Sequence, residues 1–214
     1  MKKLIAISAC LILFGAGCTA ANTTQSVNIN FDQNAAAPFT PAINNNSPVT
    51  NENAPMKTWP SPTILPESEL TNKEAVIETN KGTIVFDLLT DSPLAESNFI
   101  TLAKGGFYDG LTFHRVVADF VIQGGDPAGD GTGGPGYHFA IEPVKRAYEP
   151  GTVAMARTDE PNSNGSQFFI VLPGGEAKLG PLYTIFGQVV KGMDVVEKIA
   201  VGDIMTKITI QDKK

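Results

Sequence analysis

Cysteine is almost missing from this chain: it has two, Cys10 and Cys18, in 214 residues. Everything after residue 18 therefore lacks the means for an intramolecular disulfide or a cysteine-based redox centre. Histidine is equally scarce, with two in the sequence. Basic residues number 16 against 22 acidic ones, and no Lys or Arg block occurs beyond Lys2-Lys3. The electrostatic footprint of a nucleic-acid-binding protein is thus absent. No apolar run approaches the roughly 20 residues that span a bilayer. The Gly-rich stretch Gly124 to Gly131 lacks the Gly-Lys-Ser/Thr ending of a phosphate loop and the acid spacing of a calcium loop. Asn164-Gly165-Ser166-Gln167-Phe168 is not a Gly-x-Ser-x-Gly nucleophile elbow, and nothing supplies an orienting acid for a Ser166–His114 hydrolase pair. Metal, cofactor and covalent chemistry are not expected from these residues.

What is present begins with a targeting segment. Lys2-Lys3 precede an apolar run from Leu4 to Phe14, and Gly15-Ala16-Gly17 lead into Cys18. That is the layout of a signal peptide over residues 1–17. Gly15 to Cys18 resembles a bacterial lipobox, which implies lipidation of Cys18 and an extracytoplasmic, membrane-anchored product; the departure is Gly15, where Leu is usual. Removing Lys2 and Lys3 leaves 14 basic residues against 22 acidic ones, a net charge near −8. Such a charge does not favour anionic lipid, so acyl chains must supply the attachment.

Residues 19–70 hold nine Asn and seven Pro and few large apolar side chains. This composition cannot offset the entropy of ordering, and 18–73 reads as a disordered tether. Within it, Val27 to Phe31 alternates like a strand but has no partner nearby. From residue 74 to 212 the pattern is that of a folded domain. Ala75 to Thr79 and Thr83 to Leu88 flank Asn80-Lys81-Gly82 as a hairpin. Ser92-Pro93 reads as an N-cap with proline at the first helical position, opening a helix that turns Ala95, Phe99 and Leu102 inward and stops at Gly105-Gly106. Short strands follow at turn signals, with a second helix over Met193–Ile199 and a closing strand near Lys207–Ile210. Many short strands and two helices predict a mainly β, closed antiparallel barrel.

Two segments carry the chemistry. Phe113-His114-Arg115-Val116 leads into Phe120-Val121-Ile122-Gln123-Gly124-Gly125-Asp126, and Asn164 to Phe169 answers about forty residues later. Together they place a permanent cation, two side-chain amides and several aromatic rings on short strands. With Met155-Ala156 and Tyr183 to Gly187, this order and spacing resembles the cyclophilin-type peptidyl-prolyl cis-trans isomerases from about Ala75 to Ile210. The resemblance implies an eight-stranded barrel capped by two helices, proline-containing polypeptides as substrates and a monomer.

Rotation about an X-Pro bond faces a barrier of about 20 kcal/mol, because the twisted state loses amide resonance. The proline nitrogen then regains a lone pair, and a donor aimed at it binds the transition state better than either planar form. Arg115 is the residue for that task, with a guanidinium that stays charged and a rigid fork of donors. By resemblance, Gln123 binds the substrate carbonyl and steadies Arg115, while Phe120 walls the proline pocket. The remaining substrate contacts implied are His114, Val121, Ala156, Arg157, Gln167, Phe169, Leu179 and Tyr183, with His114 also supporting the arginine strand. By resemblance Phe168 takes the core role and Phe169 the pocket role, on the opposite faces that period-two alternation requires. Three positions depart from the family pattern: Arg157 stands where many members have Asn, Tyr183 where His is frequent, and Lys178 where a pocket Trp is usual. A rival reading, a holdase that grips proline-containing segments without catalysing their rotation, uses the same residues.

Overall fold

The computed structural model describes residues 58–213. The signal peptide expected over 1–17, Cys18, and the tether up to residue 57 lie outside the described residues. Eight strands form one antiparallel sheet: β1 Lys73–Thr79, β2 Gly82–Leu88, β3 Phe113–Val117, β4 Val121–Gly124, β5 Thr152–Met155, β6 Phe168–Val171, β7 Ile185–Lys191 and β8 Met205–Asp212. Their order is β3-β4-β6-β5-β7-β2-β1-β8. The ends of this series meet just outside the named strands. Thr112 bridges Ile204, and Phe113 N–H donates to the Asp203 carbonyl and Met205 N–H to that of Leu111, both at 2.8 Å. Closure is therefore a short clasp, enough to remove the exposed edge there.

The expected hairpin is β1 and β2, paired in register from Glu74↔Asp87 to Thr79↔Gly82. Alternate residues Ala75 and Ile77 on β1, and Ile84 and Phe86 on β2, are fully buried. Helix α2, Pro93–Lys104, plugs one end of the barrel. Phe99 stands at the centre of an aromatic cluster, with ring centroids 5.1 Å from Tyr108, 5.2 Å from Phe186, 5.4 Å from Phe86 and 5.6 Å from Phe168. Fully burying such rings contributes on the order of 2–3 kcal/mol apiece.

Ser92 does not cap α2 with its side chain. The Glu142 carboxylate does so from across the fold, accepting from Leu94 N–H at 3.1 Å and Ala95 N–H at 2.8 Å. A full negative charge at a helix N-terminus satisfies both the orphan N–H groups and the helix dipole, which a neutral serine cannot. Helix α3 is the single turn Met193–Val196, shorter than the Met193–Ile199 expected, and the chain continues to Ile199 in turns.

Residues 58–72 correct the sequence reading, which ended the tether at residue 73. Trp59 packs edge-on against Phe107 with centroids 5.2 Å apart. Leu65 N–H donates to the Ser97 hydroxyl at 2.9 Å, Leu70 is buried, and a short helix, α1 Glu67–Leu70, pairs Glu69 with Lys104. Proline spacing hid these few apolar side chains, each of which finds a place on α2 or just beyond it.

One buried group is poorly matched to its surroundings. Glu96 on α2 is fully buried, and neither carboxylate oxygen has a hydrogen-bond partner among the described residues. Desolvation pushes its pKa up to about 7, opposed by Lys213 and assisted by Glu142. Unfolded, it titrates near 4.5, so folding takes up a proton between those values. Its protonated form is tolerated fully below the lower value, and stability is lost as pH rises through the upper one. Glu96→Gln should abolish that slope and stabilise the protein above pH 7 by on the order of 2–3 kcal/mol, read from urea unfolding at pH 5 and pH 8.

Candidate active site

Strands β3 and β4 form a hairpin whose turn carries Asp119 in the left-handed region at φ 56°. The pairing has a bulge: Phe113 faces Gly124, but Arg115 faces Gln123, so β3 spends one extra residue, His114, over that interval. A bulge re-aims the residues after it. Here it puts Arg115 opposite Gln123, while Phe113 stays fully buried. The Arg115 guanidinium lies 5.8 Å from the Phe120 ring centroid and 3.5 Å from Gln123 Oε1, the outer limit of a hydrogen bond. Among the described residues it has no carboxylate partner.

Phe120 is held by its backbone. Its carbonyl accepts from Leu172 N–H at 2.9 Å, and Gly175 packs so closely that a Cβ there would sit 2.1 Å from the same oxygen. Gly175 opens the 3-10 turn Glu176–Lys178. Lys178 lies on that turn, exposed, with Nζ donating to the Asp119 carbonyl at 2.7 Å. The position implied for a pocket Trp thus holds a side chain that ties two surface turns together, and the next residue, Leu179, lines the cavity instead.

That cavity encloses about 230 Å³ among Arg115, Phe120, Val121, Gln123, Arg157, Phe169, Leu179 and Tyr183. Phe169 forms its base and meets Tyr183 edge-on at 5.4 Å. Tyr183 is fixed through its backbone, since the Tyr148 hydroxyl donates to its carbonyl at 2.8 Å and accepts from its N–H at 3.0 Å. Arg157 stacks on the Tyr183 ring at 5.4 Å and donates to the carbonyls of Leu182, Thr158 and Asp159. Of the two arginines here, then, Arg157 is held by three protein carbonyls, whereas the Arg115 guanidinium has only the long contact to Gln123 Oε1 and the face of Phe120 among the described residues.

A chain of amides orients the other polar group. Gln167 Nε2 donates to the carbonyls of Gly131 and Gly133, both at 2.9 Å. With both hydrogens engaged, its Oε1 must accept, and it does so from Gln123 Nε2 at 2.9 Å. Gln123 therefore turns its own oxygen toward Arg115. The loop supplying those carbonyls is braced by Asp126, whose carboxylate accepts from the N–H groups of Ala128 at 2.8 Å, Asp130 at 3.0 Å and Gly131. Behind Gln167, Ser166 is buried and donates to the Gly125 carbonyl at 2.7 Å, while the Gly165 carbonyl accepts from Asn98 of α2 at 2.8 Å. Ser166 is a scaffold residue with its proton already given to backbone.

Eight of the eleven residues singled out from sequence line the cavity. Ala156 and Gln167 line an adjoining groove of about 130 Å³ that shares Gln123 and Arg157 with it. His114 lines neither of them. As the extra residue of the bulge it has no partner position on β4. Its two ring nitrogens are buried without a partner among the described residues, and burial holds the imidazole neutral by lowering its pKa. Asp126 and Gly175 were missed. The stretch Gly124 to Gly131 read as a surface loop, although an Asp followed by turn residues is the usual mark of a side chain that satisfies its own loop.

The eight-stranded barrel thus carries on its outer face a cleft of aromatic and aliphatic side chains beside a guanidinium that has no carboxylate partner among the described residues. Residues 75–213 match the family model described as cyclophilin type peptidyl-prolyl cis-trans isomerase/CLD. A peptidyl-prolyl cis-trans isomerase of Helicobacter pylori (strain ATCC 700392 / 26695) is 42% identical over 163 residues, 72% of this chain and 94% of its own length. Peptidyl-prolyl cis-trans isomerase B of Bacillus subtilis is 41% identical over 131 residues, 60% of this chain and 90% of its own. Among solved structures, a cyclophilin type isomerase of Cryptosporidium parvum, determined in the presence of the dipeptide Ala-Pro, superposes with a TM-score of 0.59 at 33% identity, covering 65% of this chain and 99% of its own. The chain belongs to the cyclophilin family and is a peptidyl-prolyl cis-trans isomerase.

Gln167→Glu replaces the amide donor with a carboxylate facing two carbonyl oxygens, and so releases the orientation of Gln123. It should lower kcat/KM for a proline peptide by about tenfold, roughly 1.4 kcal/mol, with a thermal midpoint close to wild type because Gln167 is only partly buried. Unchanged kinetics would mean that the amide chain does not orient Gln123.

Proposed function

We propose that Arg115 drives the isomerisation by donating to the proline nitrogen as the X-Pro bond twists, that Gln123 holds the substrate carbonyl, and that Phe120, Phe169 and Leu179 enclose the ring. The observation that carries this reading is the guanidinium beside a cavity walled by Phe120, Val121, Phe169 and Leu179, with no carboxylate partner among the described residues and an oriented amide next to it. A donor aimed at the proline nitrogen favours the twisted state over either planar one, so the holdase reading is not favoured. The substrate class is a proline-containing polypeptide, as the Ala-Pro dipeptide used with the Cryptosporidium relative illustrates for that protein. The cavity is complete within one chain, so a monomer suffices.

The setting of this activity rests on the N-terminal sequence. The basic pair, the apolar run and Gly15-Ala16-Gly17-Cys18 support export followed by lipidation of Cys18. The clients would then be exported proteins whose X-Pro bonds isomerise slowly, met on the extracytoplasmic side of a bacterial membrane.

Arg115→Ala should lower kcat/KM for a proline peptide by at least about 100-fold, roughly 2.7 kcal/mol of transition-state stabilisation, in a protein that still unfolds cooperatively. Arg115→Lys keeps the charge without the fork and should recover only part of the loss. Near-wild-type turnover in folded Arg115→Ala would overturn the mechanism. For the anchor, the intact mass of membrane-extracted protein should show acyl chains on Cys18, and Cys18→Ala should move the protein into the soluble fraction. An unmodified Cys18 in a membrane-bound protein would refute it.

A further inference from the structure

We propose that the catalytic groove continues past Gly134 into a second, aromatic-walled cleft, and that this cleft takes an apolar side chain of the same polypeptide whose proline is being isomerised. The proposal rests on the isomerase reading of the Arg115 cavity. The cleft encloses about 480 Å³ between Trp59 and Phe107 on one side and Pro127, Gly134 and Pro135 on the other. Among the described residues its lining contains no charged side chain. It has about twice the volume of the 230 Å³ proline cavity.

Continuity with the catalytic groove decides the occupant. Gly134 lines both this cleft and the groove beside Gln167, and that groove shares Gln123 and Arg157 with the proline cavity. Shared residues thus set the three depressions side by side in series, with the loop from Asp126 to Gly136 as the wall between the groove and the cleft. On the catalytic side the loop presents the Gly131 and Gly133 carbonyls to Gln167. On the far side Pro127 and Pro135 face the cleft. At Gly134 that wall carries no side chain, and a Cβ there would meet nothing within 4 Å. An extended chain advances about 3.3 Å per residue, so a run of about six residues covers roughly 20 Å. An unfolded client offers both the extended backbone and the apolar side chains that this lining favours. Trp59 comes from the segment preceding β1, so the residues that pack this segment onto the domain also build a substrate contact.

The test uses the full chain and peptide probes. A tetrapeptide containing one Ala-Pro bond is extended, from either end, by a Gly/Ser spacer of about six residues that finishes in Phe or in Ser. The reading is the ratio of kcat/KM for the Phe-ended over the Ser-ended peptide. Loss of folded enzyme lowers both rates alike, so the ratio does not depend on how well a variant folds. In the wild-type protein one of the two extensions should give a ratio of at least fivefold, carried by KM. Trp59→Ala, which removes the ring, and Pro127→Asp, which charges the opposite wall, should each bring it close to one. A ratio near one for both extensions in wild-type protein that turns over the tetrapeptide would overturn the cleft while leaving the isomerase intact. So would a preference that persists in both variants. No turnover of the tetrapeptide would overturn the isomerase reading itself.

Discussion

Part of this barrel is apolar on both faces, and the site depends on that. Along β4 and β6, alternate side chains go to opposite sides of the sheet. Ile122, Phe168 and Ile170 join the barrel interior, while Val121, Phe169 and Val171 join a second cluster outside it. The interior is filled by the rings around Phe99 and cannot admit a ligand. The cavity beside Arg115 therefore lies against the outer cluster, where Phe120, Leu179 and Tyr183 pack. The result is a shallow apolar surface with a solid barrel beneath it, rigid because close-packed interiors do not yield easily.

Polar groups gain direction from the same arrangement. Gln123 and Phe169 are partners across β4 and β6, and Gln167 precedes β6 by one residue. Neither amide lies deep, yet each is oriented, because the Gly131 and Gly133 carbonyls leave Gln167 a single way to point. Preorganisation of this kind matters for a reaction whose barrier is electronic and whose substrate changes shape but not composition. Buried serines and asparagines in the supporting layer, Ser166 and Asn98, have their protons engaged by backbone oxygens. That engagement makes them scaffolding for the amide chain.

How far the sequence could be read depended on the range of the interaction. The β1–β2 hairpin, helix α2 and the split between Phe168 and Phe169 follow local rules of alternation and helical period, and all are found where those rules put them. Readings that depended on distant partners went astray. Ser92 looked like a cap because caps are usually local, but Glu142 reaches the helix from 47 and 48 residues further along. Residues 58–72 looked like tether because their apolar side chains are sparse and separated by prolines. Only the surface of α2 and Phe107 shows that sparse contacts suffice there. The one-residue bulge at His114, which sets Arg115 opposite Gln123, likewise depends on the pairing with β4.

By itself the sequence determined the chemistry available: one arginine strand, two glutamines, a set of aromatic rings and no downstream cysteine, together with the turn signals that make many short strands. It determined the family as well, since the two signature segments keep their order and spacing whatever surrounds them. Tertiary structure decided which of those groups are free to act. Two arginines reach the same cavity, and the carbonyls of Leu182, Thr158 and Asp159 hold one while the other has only the 3.5 Å contact to Gln123. Two glutamines carry the same amide, and the loop braced by Asp126 decides which way each one points. Hydrogen-bond satisfaction is a property of what folding brings together, and no residue carries it alone.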